Sequence, residues 1–173
     1  MSAHLCDMIE TTPDRRTIDT LPAHARVWIY KSAKGFTPEQ REAILAQGQA
    51  FTSSWAAHGA ALDACVDVLL DHFMVVAVDE QQAMASGCSI DKSVRFVQDL
   101  EKGMGINLTD RMVVLCEKDG SVHSCRVPDV QDLLKRGELT ADTIVFDDLV
   151  NTKADLDARF RSPLRLTWLA RWL

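Results

Sequence analysis

The most constraining feature of the sequence is a pair of adjacent segments with different hydrophobic patterns. Residues 73–78 contain no polar side chain, whereas residues 62–70 alternate between apolar and polar side chains. Alternation is typical of a strand with one buried face, and a short continuous apolar run is typical of a strand buried on both faces. Asp71 and His72 form a tight connection between the two segments. We therefore expect residues 73–78 to form a central strand of a sheet.

The other elements are placed by β-branched and aromatic runs, by helical periodicity and by capping residues. Thr37, Pro38 and Gln40 have the pattern of a capping box with proline at the first helical position. Ser89 is a candidate cap for a second helix. The predicted order is strand 26–30, helix from Thr37 to a stop at Gly59, strand 62–70, strand 73–78, helix from Ser89 to Gly105, and strand 112–116.

This β-α-β-β-α-β order is that of a ferredoxin-like split βαβ fold, so the predicted class is α+β. A mixed α/β sheet is the structural alternative. Residues 1–22 are interpreted as an N-terminal arm and residues 23–173 as one domain, with a core over 23–117. Residues 118–173, which open with a hairpin at Asp119-Gly120, form a C-terminal elaboration with helices. That elaboration, or a second subunit, would cover the open face of the sheet.

Composition excludes several classes of protein. Lys and Arg total 19 and Asp and Glu total 25, which gives a net charge of −6 and argues against a dedicated nucleic-acid binder. No apolar run approaches the ~20 residues that span a bilayer, and the first residues lack the apolar stretch of a secretory signal. The odd number of cysteines, 5, argues against a disulfide framework. We expect a cytoplasmic protein that does not bind membranes.

The predicted topology brings polar residues from distant parts of the chain to one end of the domain. Arg26, His58, Asp79 and Glu80 lie at predicted element ends that meet there. The segment Ser86-Gly87-Cys88-Ser89 opens a helix at the same end, and Lys92 follows within it. Because a helix start has free N–H groups and a positive dipole end, this segment is a candidate site for a small anionic ligand.

The same residues allow an enzymatic interpretation. A helix N-terminus favours the thiolate form of a cysteine, so Cys88 is a candidate nucleophile. His58, expected at a helix C-terminus, would act as acid and base, and Asp79 would orient it. The structural interpretation is a capped helix with an inert cysteine. None of these interpretations requires a cofactor.

A phosphate-binding P-loop is excluded by its spacing. The motif needs G-x-x-x-x-G-K-[ST], and here Gly87 is followed by Lys92-Ser93 without the second glycine and with the lysine one residue early. The chain is therefore not expected to be an ATPase of the P-loop type.

Two further clusters have both a structural and a functional interpretation. With Asp119-Gly120 as turn, Cys116 falls opposite His123, and Cys125 lies on the same face, so these residues either bind a soft metal or pack as ordinary strand residues. We expect ordinary packing and no metal site. Trp168 and Trp172 are expected on a last helix that starts at Ser162-Pro163 and docks onto the core or onto a partner subunit.

The sequence also resembles a family of uncharacterised bacterial proteins, common in Bacteroidetes genomes, whose members often carry the label "ABC transporter ATPase". The segments that carry the resemblance are 25–32, 55–59, 76–80, 86–94, 110–112, 143–147 and 168–171, within residues 22–173. Residues 86–94 are the most specific of them. The resemblance implies a family but no established activity and no assigned catalytic residue.

Two hypotheses of function follow. The first is a protein that binds a small anionic ligand at residues 86–93, with Arg26, His58 and Lys92 nearby, and that acts as a Cys88-dependent enzyme if it is catalytic. The second is a non-enzymatic homo-oligomeric or adaptor protein, whose open sheet face or Trp-rich last helix binds a protein partner.

Overall fold

The apolar run 73–78 forms the centre of a three-stranded antiparallel sheet in a computed structural model that describes residues 16–173. The strands are β1 (Arg26–Lys31), β2 (Ala56–Ala57), β3 (Ala60–Ala61), β4 (Asp63–Leu69), β5 (Phe73–Asp79), β6 (Val113–Lys118), β7 (Ser121–Arg126), β8 (Ile144–Phe146) and β9 (Arg161–Pro163). The α-helices are α1 (Pro38–Ser54), α2 (Gly87–Met104), α3 (Val130–Lys135) and α4 (Lys153–Arg159). Single 3₁₀ turns occupy Ile18–Thr20, Val127–Asp129, Leu164–Leu166 and Trp168–Trp172.

β5 has the central position that its composition predicts. It lies between β1 and β4 in the order β1-β5-β4, and residues 73–78 have no exposed surface. In the antiparallel register Arg26 is opposite Val78 on one side, and Ala64 is opposite Val78 on the other. The prediction of a central strand buried on both faces is confirmed.

One face of this first sheet is covered by α1 and α2. The apolar residues of that layer include Trp55, Val66, Met74, Val76, Val78, Val97 and Leu100. α1 begins with the predicted capping box, in which Thr37 Oγ1 accepts the N–H of Gln40 and the Gln40 side chain accepts the N–H of Thr37. Gly48 brings α1 directly against β4, because a Cβ at that position would lie 2.5 Å from Val66 Cβ.

The opposite face is covered by the C-terminal part of the same chain. β6 and β8 belong to a second sheet, of order β7-β6-β8-β9, which packs Val113 and Leu115 against the first sheet. Phe73, Phe146 and Phe160 form a ring cluster between the layers, with centroids 4.9–5.4 Å apart. The expected open face is therefore closed by residues of this chain and is not a free docking surface.

The mixed helix and antiparallel sheet composition shows the α+β class. The ferredoxin-like split topology is not confirmed. It requires β6 beside β1, whereas β6 pairs with β7 and β8. The outer edge of β1 instead bonds to loops, since the N–H of Val27 donates to Asn151 O and that of Lys31 donates to Leu108 O.

Residues 16–21 and the last segment of the chain both contribute buried side chains to these layers. Ile18 and Leu21, within the predicted arm 1–22, are buried on the first sheet, and the remainder of that arm, residues 1–15, lies outside the described residues. The last segment forms β9 and two 3₁₀ turns rather than the predicted helix. Leu164 and Leu169 are buried there against the second sheet, so the segment docks onto the core of its own chain.

Within residues 16–173, no helix is long and apolar enough to cross a bilayer.

The close approach of α1 to β4 yields a stability prediction. Gly48→Ala should destabilise the fold by about 1–3 kcal/mol, because the new methyl group overlaps Val66 and the packed layers must separate. Urea unfolding measures the change. Gly103→Ala in α2 is the matched control, since nothing lies within 4 Å of its added Cβ, and we expect it to be neutral or to stabilise by up to ~1 kcal/mol. Equal effects of both substitutions would contradict the packing argument.

Candidate functional site

The start of α2 is capped one turn earlier than the sequence predicted. Ser86, not Ser89, is the cap: its Oγ accepts the N–H of Ser89 at 3.2 Å, and its carbonyl accepts the N–H of Ile90 at 2.9 Å. Gly87 and Cys88 form the exposed first positions of the helix, and their N–H groups precede the first intrahelical bond. Ser89 is buried, and its hydroxyl donates to Ser86 O. Ser89 therefore serves the helix rather than a ligand.

A buried tryptophan holds this first turn in place. Trp55, at the end of α1, donates its indole N–H to Ser89 O at 2.8 Å. Phe51 stacks on Phe96 with centroids 4.5 Å apart, which joins the same two helices. Because the bond fixes a main-chain carbonyl in the first turn, the exposed N–H groups of Gly87 and Cys88 keep one orientation.

Glu80 lies in the loop before this helix start, and Arg26 of β1 lies beside Glu80. Glu80 Oε1 accepts the N–H of Ala85 at 3.0 Å, which closes the loop between β5 and α2. The same oxygen lies 3.8 Å from Arg26 Nη1. The Arg26 guanidinium also stacks on Trp28, 4.6 Å from the ring centroid. The structure therefore brings together Arg26, Glu80 and the start of α2, as the sequence predicted.

Asp79 is bonded to His24, which was not predicted from the sequence, and not to His58. Asp79 Oδ1 lies 2.9 Å from His24 Nε2 and accepts the N–H of Gln81 at 3.0 Å. The Gln81 N–H and the His24 ring lower the pKa of Asp79. His24 precedes β1, and only the β1–β5 register brings it near Asp79. That register is a tertiary property with no local sequence signal.

His58 is not at a helix C-terminus. α1 ends at Ser54, and His58 and Gly59 form the turn between β2 and β3, with φ of 50° and 82°. The predicted helix stop at Gly59 is wrong, because the short hairpin uses both residues in left-handed conformations. The hairpin packs beside α2. Among the described residues, no hydrogen bond or ion pair joins His58 to Cys88 or Asp79, so the geometry does not assemble the arrangement proposed for catalysis.

Lys92 and Cys88 are exposed on the first two turns of α2. The first turn contains no acidic residue. The positive end of the helix is therefore not neutralised by a side chain of its own first turn, and the nearest carboxylate shown by a bond is Glu80, through Ala85.

The cysteine and histidine cluster of the second sheet has the predicted register. Cys116 is opposite His123, and Cys125 is opposite Val114. Burial raises the pKa of the Cys116 thiol, and burial together with the charges of Cys116 and Asp129 raises that of Cys125 to about 11. In the part of the chain that the structure describes, no group of three or more His, Cys, Asp or Glu side chains is arranged to hold a metal ion.

The acidic side chains near the C-terminus take part in ion pairs. Asp148 accepts from the buried Lys31 Nζ at 2.6 Å, Asp155 pairs with Arg159, and Asp157 pairs with Lys153. Arg171 stacks on the rings of Trp168 and Trp172. These contacts give Asp148, Asp155 and Asp157, and the segment with Trp168 and Trp172, a structural role.

Comparison of the chain with protein-family models, curated proteins and solved structures finds no match. The resemblance to a bacterial family therefore stays a prediction.

Thiol reactivity distinguishes the cysteines of the described region. Cys88 should be alkylated first by iodoacetamide, because it is exposed at a helix start, whereas Cys116 and Cys125 are screened and have raised pKa values. At pH 8, a pKa of about 11 leaves roughly one thiol in a thousand ionised at Cys125. Peptide mass spectrometry of the native protein over time measures the rates. Alkylation of Cys125 as fast as Cys88 would contradict the burial of the Cys125 thiol. Complete alkylation of the protein unfolded in urea gives the reference signal for each cysteine peptide.

The Asp79 contacts predict a pH dependence of stability. Because the folded-state pKa of Asp79 is lowered, its contribution is present above the ordinary value of 3.8 and is lost as pH falls through the folded value. Asp79→Asn should therefore lower the urea midpoint at pH 7, and the difference from the wild type should vanish in acid. Asp91→Asn, an exposed carboxylate of α2, is the control. A difference that stays constant from pH 7 to strong acid would show that charge at Asp79 is not the cause.

Proposed function

We propose that the protein binds a small anionic ligand at the start of α2. The observation that carries the proposal is the convergence of the Arg26 guanidinium and the Ala85 N–H on one oxygen of Glu80, directly before the cap Ser86. Exposed Gly87 and Cys88 follow within the same turn. A cation, free main-chain N–H groups and a helix dipole thus share one small region.

Glu80 is the anion that this region already contains. Its carboxylate sits 3.8 Å from Arg26 Nη1, a distance at which charges attract but no hydrogen bond forms. The Arg26 side chain is close to half exposed. An incoming anion would bond to the guanidinium directly, and Glu80 would keep its bond to Ala85. Lys92, exposed one turn further along α2, adds long-range attraction.

Binding is favoured over catalysis by the partners of the candidate catalytic residues. Asp79 is engaged by His24 and Gln81, and His58 occupies a hairpin turn. A reaction at Cys88 would need a proton acceptor from the ligand or from solvent. The Cys88-dependent enzyme is therefore the less favoured form of the proposal.

The remaining predictions belong to the same proposal. We expect a cytoplasmic protein, because Cys88, Cys116 and Cys125 are free thiols. The relation of the first sheet to a ferredoxin-like fold is supported by the strand order β1-β5-β4, which corresponds to three of its four strands. Homo-oligomerisation stays a prediction from the sequence.

Inorganic phosphate is the probe for this site. Phosphate should shift the Gly87 and Cys88 amide resonances in ¹⁵N–¹H spectra and raise the melting temperature at constant ionic strength, since a ligand specific to the folded state adds stability. Arg26→Gln should weaken phosphate binding about tenfold, the loss expected for one charge-assisted hydrogen bond of roughly 1.5 kcal/mol.

Two variants make this test specific. Glu80→Gln retains an oxygen for the Ala85 N–H but loses the competing charge, so it should bind phosphate more tightly than the wild type. Lys118→Gln, at the distant β6–β7 turn, removes one positive charge and should leave binding unchanged. Equal weakening by Arg26→Gln and Lys118→Gln would indicate general charge attraction, and unshifted Gly87 and Cys88 amides would overturn the proposal.

A further inference from the structure

The outer edge of β4 carries main-chain groups that the sheet does not use. β5 bonds alternately to its two neighbours. The N–H of Val27 donates to Asn151 O, outside the sheet, so Val27 and its register partner Ala77 do not bond to each other. The N–H and C=O groups of Ala77 therefore point to the other neighbour, β4, where Ala77 is opposite Cys65. The residues on either side, Ala64 and Val66, therefore point their N–H and C=O groups away from the sheet, toward the free edge.

Along this edge, the outward N–H of Val68 has a side-chain partner, whereas the outward groups of Ala64 and Val66 have none among the described residues. The N–H of Val68 donates to Asp67 Oδ1 at 2.9 Å, and Asp67 Oδ2 accepts the N–H of Ile18 at 3.2 Å. Within residues 16–173, no such bond reaches the outward groups of Ala64 and Val66, although these residues are only 7% and 3% exposed. Main-chain groups of buried residues are almost always paired, so this pair of residues lacks a partner strand.

A groove of about 230 Å³ lies along this part of the edge. Its floor is apolar and its wall is the polar outer side of α1; the lining residues are Arg16, Gln49, Thr52, Ser53, Leu62, Asp63, Ala64 and Val66. The hydroxyls of Thr52 and Ser53 donate to carbonyls of α1, so they remain hydrogen-bond acceptors in the lining of the groove. Arg16 and Asp63 pair with each other at the start of β4 and make that end of the groove electrically neutral.

We propose that this groove binds an extended peptide segment of a partner protein, which adds to β4 as a further strand. An extended chain supplies N–H and C=O groups at the two-residue spacing of Ala64 and Val66. Alternate side chains of the peptide would contact the polar wall of α1. Because the Arg16–Asp63 pair is neutral, the segment beside it is uncharged.

A second copy of this chain is a poorer occupant for a geometric reason. Gly48 seats α1 directly above Val66, so α1 lies over the edge strand itself. Pairing β4 with β4 about a two-fold axis would place the two strands about 4.8 Å apart and the two α1 helices nearly as close. Helices need axial separations of about 8–10 Å, so the α1 helices would collide.

The test uses random heptapeptides displayed on phage and selected on the full chain. Ala64→Pro removes the outward N–H without removing a bond to β5, and proline is tolerated at an edge strand. Ala64→Ser, which keeps the N–H, is the matched control. Peptides selected on the wild type should bind Ala64→Pro at least tenfold more weakly and Ala64→Ser within threefold, and should shift the Ala64 and Val66 amides in ¹⁵N–¹H spectra.

Ser53→Trp fills the groove from the exposed side of α1 and replaces Ala64→Pro if that variant does not fold. Arg26→Gln should leave peptide binding unchanged, which separates this site from the anion site. Selected peptides that bind Ala64→Pro or Ser53→Trp as well as the wild type, or that shift other amides only, would overturn the proposal. So would failure to select any peptide, or a concentration-dependent dimer with contacts between two β4 strands.

Discussion

The burial of β5 on both faces is the constraint from which the rest of the architecture follows. A strand whose residues 73–78 have no exposed surface needs an apolar layer on each side. α1 and α2 provide one layer, and the second sheet with α4 provides the other. Polar groups can emerge only at the two ends of β5, at Asp71 and His72 before it and at Asp79 and Glu80 after it. The position of the candidate site is thus a consequence of the way the core is closed.

Charge balance at this end of the sheet depends on residues that precede β1. Asp63 and Asp79 are register partners on neighbouring strands, and like charges directly opposite each other destabilise a sheet. Arg16 pairs with the first and His24 with the second, while Ile18 and Leu21 bury the segment between them. The residues before β1 therefore supply a partner for each carboxylate, Arg16 of the predicted arm for Asp63 and His24 for Asp79.

The anion site and the peptide groove both depend on main-chain groups that have no hydrogen-bond partner among the described residues. At the start of α2, the cap satisfies Ser89 but leaves Gly87 and Cys88 with free N–H groups in the turn that follows Glu80, the partner of Arg26. At the edge of β4, Asp67 caps Val68 but leaves Ala64 and Val66. In both places the protein satisfies one main-chain group with its own side chain, and the neighbouring groups have no bond to the described residues.

The sequence by itself determined the features that depend on neighbouring residues. The capping box at Thr37, the doubly buried strand 73–78 and the pairing of Cys116 with His123 across the Asp119-Gly120 turn are local patterns, because caps, periodicity and tight turns act over a few residues. The small-residue start of α2 was found in the same way, although its cap is Ser86. Only the tertiary structure decided the register of β1 on β5, which gives Asp79 its partner His24 rather than His58. It also decided that β6 joins a second sheet, because which strand covers an apolar face is a choice among contacts distant in the chain. Strand composition is the same for either partner, so no local pattern distinguishes them.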